Sequence, residues 1–296
     1  MNSLLKSSKK LLVGIGLASC GAAVWAYLGV TEDKALLKAT ALYDQYIKNQ
    51  RFFLEPVHAT THKWDFNWDK HHADPFSKTP DGRFLSEEEE KEFKEKLDKA
   101  KVTASRHLLL IRHGQYNLSG LTDAERILTD LGRQQAHFAA QRLKSLNLPY
   151  TRLVQSTMAR AAETASIISK ELPDVPVEQS DLLREGMPAI PEPSESLKDC
   201  YDRLARDGPR IEAAFRRYFH RASPLQKQDS YEIFVCHANV IRYFVCRALQ
   251  LAPEAWLRFS LHNCSLTWIT IRPGGKVVVY TVGDCGYIPP DKLSTT

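Results

Sequence analysis

Arg112, His113, Arg160, Glu185 and His237 are the side chains whose types and spacing could do chemistry together. A neutral imidazole is nucleophilic toward phosphorus near pH 7. A guanidinium forks onto phosphate oxygens in a fixed, bidentate geometry. A carboxyl group with a raised pKa can protonate a leaving oxygen and afterwards take a proton from water. Arg112 and His113 close an apolar run, His107-Leu-Leu-Leu-Ile111, that reads as a buried strand. Gly114 behind them would let the backbone approach a ligand closely. Arg160 follows a short strand, Arg152–Gln155, at the start of a helix. His237 follows the strand Tyr231–Cys236 and precedes another helix. Strand ends and helix N-termini on one edge of a parallel sheet are where anions bind. Arg-His-Gly alone is a weak signal. Three strand ends that each finish in Arg or His and converge on one edge give it weight.

Holding these groups together requires a sheet flanked by helices. Thr129–Leu146 and Met158–Leu172 read as helices, and Ala238–Leu249 as another. Ser196–Ala222 reads as a long helical region interrupted near Gly208-Pro209. Ser265–Ile271 and Lys276–Val282 predict a hairpin across Pro273-Gly-Gly275. The alternation predicts an α/β fold over residues 105–296, a three-layer sandwich with a mostly parallel central sheet.

Ahead of it two further regions are expected. Leu11–Val30 is a run of twenty uncharged residues preceded by Lys6, Lys9 and Lys10, which predicts a transmembrane helix over residues 1–30 with its N-terminus inside. Gly14, Ala18, Ala22 and Ala26 would form a strip of small side chains on that helix. A cleaved signal and a lipoprotein site at Cys20 are the competing readings. The apolar run continues past Cys20 and lacks a clear cleavage site before polar chain, which favours a retained anchor. Residues 31–104 read as a helical stalk and linker, with helical spacing over Lys34–Gln50. Within the linker, Trp64-Asp65-Phe66-Asn67-Trp68-Asp69 places two tryptophans in a polar stretch. That composition fits an interface or a surface clasp on the same domain equally well. His58, His62, His71 and His72 have no carboxylate or cysteine at ligand spacing, so no metal site is expected. Ser86–Lys101 is a charged helix with a Ser86/Glu89 capping box.

The net charge of +5 is mild and no basic run stands out, so no nucleic-acid partner is expected. The cysteines, Cys20, Cys200, Cys236, Cys246, Cys264 and Cys285, form no Cys-x-x-Cys pair and read as reduced thiols.

Arg112-His113-Gly114, Arg160, Leu-Arg-Glu185-Gly and His237-Ala-Asn-Val-Ile-Arg242, in that order, resemble the histidine phosphatase superfamily, also called the phosphoglycerate mutase family. The resemblance spans roughly residues 106 to 290. It implies that His113 is the nucleophile and passes through phosphohistidine. It also implies that Arg112, Arg160 and His237 hold the phosphoryl group, and that Glu185 serves as acid and then base. No metal or other cofactor is implied. With the apolar segment and the Trp-Asp pattern, the chain is similar to the mitochondrial, membrane-bound members that act on phosphoserine and phosphothreonine proteins. For those members the resemblance implies activation by homo-oligomerisation through Trp64, Asp65, Asn67, Trp68 and Asp69. Phosphohistidine proteins are a further possible substrate class. A small-molecule mutase or sugar-phosphate phosphatase is the alternative reading. Against that alternative, Gln115–Glu125 lacks the segment rich in Asn, Phe, Gly-Trp and Asp with which mutases bind the sugar acid, which implies a more open site. The Glu-Ser-Gly-Glu stretch with which relatives bind a ubiquitin-ligase adaptor is also missing, so that partner is not expected.

Overall fold

The computed structural model describes residues 64–70, 101–193 and 198–295, the backbone of 11–16 and 23–28, and a few positions from 86 to 95. These residues fall into two units, Met1–Trp64 and Asp65–Thr296. The stalk helix expected over Lys34–Gln50 and the histidines His58, His62, His71 and His72 lie outside the described residues.

In the first unit, β1 (Leu11–Gly16) and β2 (Ala23–Leu28) pair antiparallel, with Leu11 opposite Leu28 and Gly16 opposite Ala23. The helix was expected over residues 1–30, most of which lie outside the described residues. Val13 and Ile15 in one segment, and Val24, Trp25 and Tyr27 in the other, are residue types that suit extended backbone. Among the described residues no helix is long and apolar enough to cross a membrane.

The second unit is an α/β sandwich on six strands. These are β3 (Arg106–Arg112), β4 (Tyr150–Ser156), β5 (Val177–Ser180), β6 (Ser230–Cys236), β7 (Leu266–Ile271) and β8 (Val277–Asp284). Their order is β5-β4-β6-β3-β7-β8. β5, β4, β6 and β3 run parallel, while β7 and β8 add as an antiparallel hairpin. The sheet is therefore mixed. The parallel core is the part that carries the strand ends of interest.

Both faces of the core's central strands β3 and β6 are buried, and these two carry the continuous apolar runs Leu108–Ile111 and Ile233–Cys236. The period of two divides them. Leu109 and Ile111 of β3, Leu153 of β4, and Ile233 and Val235 of β6 join one cluster. That cluster also takes in the inner faces of α1 (Asp130–Leu146) and α2 (Ala159–Glu171). On the other face, Phe234 meets Tyr218 of α3 (Lys198–Tyr218) with ring centroids 5.1 Å apart. Phe215 stacks on Phe219 just past the end of α3, and both meet Phe244 of α4 (Ala238–Ala248) at tilted angles.

Most expected helices appear within two residues of their predicted limits. Thr129 caps α1, accepting from Gly132 N, and Ser86 and Glu89 make the reciprocal capping box. Two expectations need correction. α3 runs through Pro209 without interruption. Gly208 before it has no Cβ to clash with the proline ring, which relieves the usual bar on helix at that position. β5 was not expected, because Val-Glu-Gln-Ser is exposed and has no apolar pattern. Its strand character comes from pairing with β4.

Candidate active site

β3 delivers Arg112 as its last residue and His113 just beyond. His113 N donates to Cys236 O at 3.0 Å, tying the ends of β3 and β6 together. The next two residues cross the start of α1 so closely that two glycines are needed. A Cβ on Gly114 would lie 2.5 Å from Gly132 O, and one on Gly132 would lie 1.9 Å from Gln115 O. Gly114 thus makes room for the backbone of α1, where the sequence suggested room for a ligand. Asn263 and Thr164, both fully buried, hold the loop from the sides. Asn263 Nδ2 donates to His113 O at 3.1 Å, and Gly114 N donates to Thr164 Oγ1 at 3.1 Å.

The His113 ring is held by hydrogen bonds at both nitrogens. Nδ1 lies 2.8 Å from Gly114 O, and a carbonyl can only accept, so Nδ1 carries the proton. Nε2 is left with its lone pair, and Arg160 Nε donates to it at 3.2 Å. Burial, followed by the charges of Arg160 and Arg112, holds the imidazole well below its ordinary pKa of 6.5. The ring is therefore neutral across the physiological range.

Arg112 is buried and fixed by two backbone carbonyls. Its Nη1 donates to Leu261 O at 2.5 Å and to Thr295 O at 2.7 Å. Arg160 enters from the first turn of α2, its guanidinium stacked 4.6 Å from the centre of the Tyr116 ring. The Tyr116 ring also meets His113 edge-on at 5.2 Å. Asp123 Oδ1 sits 3.5 Å from Arg160 Nη1, and Oδ2 accepts from Ala159 N, which caps the start of α2. His237, fully buried, stands 5.1 Å from His113, ring to ring, with Nε2 2.9 Å from Ser156 Oγ.

Glu185 comes in on the loop after β5. Its carboxylate accepts from Gly186 N at 3.0 Å and from Asn239 N at 3.4 Å. Burial raises its pKa above the ordinary value of 4.5, against those two bonds and the charges of Arg160 and Arg112.

The structure thus brings all five predicted chemical residues to one strand-end edge. Around them Arg112 Nε, Arg160 Nη1, His237 Nδ1 and Arg242 Nε are buried nitrogens with no hydrogen-bond partner. Such groups are normally satisfied, because leaving one unmade costs about 1–3 kcal/mol. A tetrahedral oxyanion offers acceptors in several directions at once.

Tyr116, Asp123, Asn239, Arg242 and Asn263 also build this site and were not singled out from the sequence as site residues. Only Arg242 and Asn239 had a signal, since both lie in the stretch that follows His237.

The Trp-Asp segment belongs elsewhere. Asp65 N and O both bond the Gln250 amide at 2.9 Å. Trp68 Nε1 donates to Gly275 O at 2.8 Å, and its ring lies 5.8 Å from Phe215. The buried Asp69 carboxylate pairs with Arg221, accepting from its backbone N at 2.7 Å and from Nε at 3.1 Å. Gly275 has φ +82°, and a Cβ there would lie 2.5 Å from Phe66 O. In this structure Asp65–Asp69 is clasped to its own domain, and Phe66, 58% exposed, points outward. Trp64 falls in the other unit.

A buried neutral imidazole, two guanidinium groups, a second imidazole and a carboxyl with raised pKa thus meet on the parallel edge of an α/β sheet. The chain belongs to the histidine phosphatase superfamily (branch 1), whose profile matches residues 108–282. It is 53% identical over 236 residues to the serine/threonine-protein phosphatase PGAM5, mitochondrial, of Xenopus laevis, covering 80% of this chain and 85% of that one. To the protein of the same name from Homo sapiens it is 51% identical over 232 residues, 78% of this chain and 80% of that one. To the Caenorhabditis elegans protein named Pgam5 it is 43% identical over 290 residues, 96% of this chain and 99% of that one.

Proposed function

We propose that this chain is a mitochondrial serine/threonine phosphoprotein phosphatase that works through a phosphohistidine intermediate. The observation that carries the reading is the set of buried donors without hydrogen bonds around the unprotonated Nε2 of His113. On binding, a phosphoryl oxygen takes the Arg160 N–H that now rests on Nε2. The lone pair is then free to form the N–P bond in line with the departing seryl or threonyl oxygen. Arg112 and His237 hold the remaining oxygens as the bond to the leaving group lengthens.

Glu185 delivers the proton. The incoming dianion offsets the arginine charges that hold its pKa down, so binding itself favours the protonated acid. In the second half the carboxylate takes a proton from water, which attacks the phosphohistidine and restores the neutral ring. Protein substrates fit better than sugar acids because Gln115–Glu125 forms a short loop rimmed by exposed Leu118 and Leu121. That loop supplies Tyr116 and Asp123 to the arginines and no cluster of groups for a sugar acid.

Two further readings concern assembly and location. The clasped Asp65–Asp69 turn, with Phe66 outward, is a preformed surface on which copies of the chain associate and are activated. The uncharged run Leu11–Val30 holds the chain at a mitochondrial membrane. Its retention in a membrane pellet through alkaline carbonate washing is the expected result, and release into the supernatant would end that reading.

The catalytic proposal is tested with the full chain on phosphoserine and phosphothreonine peptides, quenched rapidly during turnover. Acid-labile phosphate on His113 and its loss in His113→Ala are expected. Hydrolysis that persists in His113→Ala would remove the nucleophile from this account.

A further inference from the structure

We propose that Ser156 is a positioning residue that fixes the tautomer of His237, so that the nitrogen facing the phosphoryl group, Nδ1, carries the proton. The inference rests on the phosphatase reading above for its purpose. The proton placement itself follows from the hydrogen bonds.

A neutral imidazole has one N–H and one lone pair, and which nitrogen holds the proton is decided by the partner of the other. His237 is neutral because burial, then the neighbouring His113, Arg160 and Arg112, hold its pKa well below 6.5. The ring is fully buried, and only one of its nitrogens has a partner. Nε2 is 2.9 Å from Ser156 Oγ, and Nδ1 has none.

Ser156 is also fully buried, and its hydroxyl has one O–H to give and lone pairs to receive. Met158 N already donates to that oxygen at 3.3 Å. Two arrangements are open. If His237 carried its proton on Nε2, Ser156 Oγ would accept from both Met158 and His237. Its own proton would then have no acceptor, and a bare lone pair on Nδ1 would face an oxyanion. If Ser156 instead donates to Nε2, both the serine O–H and the Met158 N–H are satisfied. The histidine proton sits on Nδ1 as a free donor. The second arrangement leaves only the Nδ1 proton without a partner, and that proton is the donor it offers the phosphoryl group. The first strands one and offers it a repulsive lone pair.

The sequence places this serine where it can act. Ser156 is the last residue of β4, beside the C-terminal end of β6, where Gln155 lies opposite Val235. The strand pairing that brings Arg160 to the site on the following helix also sets Ser156 beside the second imidazole. Arg112 and Arg160 cannot take over this task, because a guanidinium has donors only and cannot accept from or choose between ring nitrogens.

The test is nitrogen NMR of the full chain labelled at histidine, with the His237 signals assigned from the spectrum of His237→Gln. A pyrrole-type Nδ1 and a pyridine-type Nε2 are expected. In Ser156→Ala the two tautomers should mix, and kcat on a phosphothreonine peptide should fall roughly 10- to 100-fold, the loss of one charge-assisted donor. KM should change less than kcat, since the donor matters most as charge builds on the phosphoryl oxygens. A pyridine-type Nδ1 in the unsubstituted protein would overturn the proposal, whether or not the alanine variant folds. So would a Ser156→Ala protein that keeps both the Nδ1 proton and full kcat. A protein that shows the expected spectrum yet hydrolyses no phosphopeptide would sink the phosphatase reading and leave the tautomer standing.

Discussion

At the scale of single residues the site is a balance between burial and charge, and Glu185 shows the balance most directly. Burial raises its pKa, while two backbone N–H groups and two arginines resist. Because the folded value is raised above 4.5, the protonated acid survives to higher pH than a surface glutamate would. Activity on phosphopeptides should therefore fall as pH rises through that raised value. On the acid side, the depressed pKa of His113 keeps the proposed nucleophile neutral to well below 6.5. Glu185→Gln should lower kcat on a phosphothreonine peptide by roughly 10²- to 10⁴-fold and abolish the alkaline limb of its pH profile. The same variant should slow an aryl phosphate much less, because that leaving group departs without a proton. Equal losses on both substrates would show that Glu185 serves some other role. Arg112, His113, Arg160 and His237 were legible because each ends or follows a strand readable in the sequence, whereas Glu185 follows a strand that was not. Tyr116 and Asp123 were not, since a tyrosine and an aspartate in a polar loop look like surface until Arg160 is seen stacked on one ring and beside one carboxylate.

At the scale of elements, the decisive contact is the crossing of the His113–Gln115 loop over the N-terminal turn of α1. Its glycine requirement comes from one backbone passing another. Gly132→Ala would push a methyl into Gln115 O and displace the loop that carries His113. Overpacking of this kind costs about 1–3 kcal/mol. Thermal denaturation should register that loss, and kcat should fall at least tenfold by the same displacement. A variant with normal melting and normal turnover would mean that the crossing is looser than drawn. The α/β class, the parallel core and nearly every helix were readable from apolar period and flanking polar residues. Two elements were misread for different reasons. β5 depends on its partner strand and carries no signal within its own window. In α3 the Gly-Pro pair reads as a break, yet the glycine is what lets the helix pass its proline.

At the scale of the whole molecule, Asp65–Asp69 joins segments distant in sequence, reaching Phe215, Arg221, Gln250 and Gly275. Composition left a clasp and an interface in balance, and the resemblance to the family tipped the reading to an interface. The described contacts show the clasp, and the proposed assembly then depends on the clasp being intact. Trp68→Ala removes both the bond to Gly275 and the ring against Phe215. Sedimentation of that variant should show smaller particles and its turnover should drop with them. An unchanged sedimentation coefficient would separate the clasp from any role in association. Arg221 and Gly275 could not be paired with this segment from sequence, because more than 150 residues intervene and nothing local marks the partner.

The hydrogen bond from His113 Nδ1 to the Gly114 carbonyl has a regiochemical consequence. With that nitrogen occupied, phosphorus can attach only at the far ring position, so the trapped enzyme should carry the tele isomer alone. Antibodies that distinguish tele from pros phosphohistidine would then read the orientation of one imidazole in a cell lysate, with no crystal required.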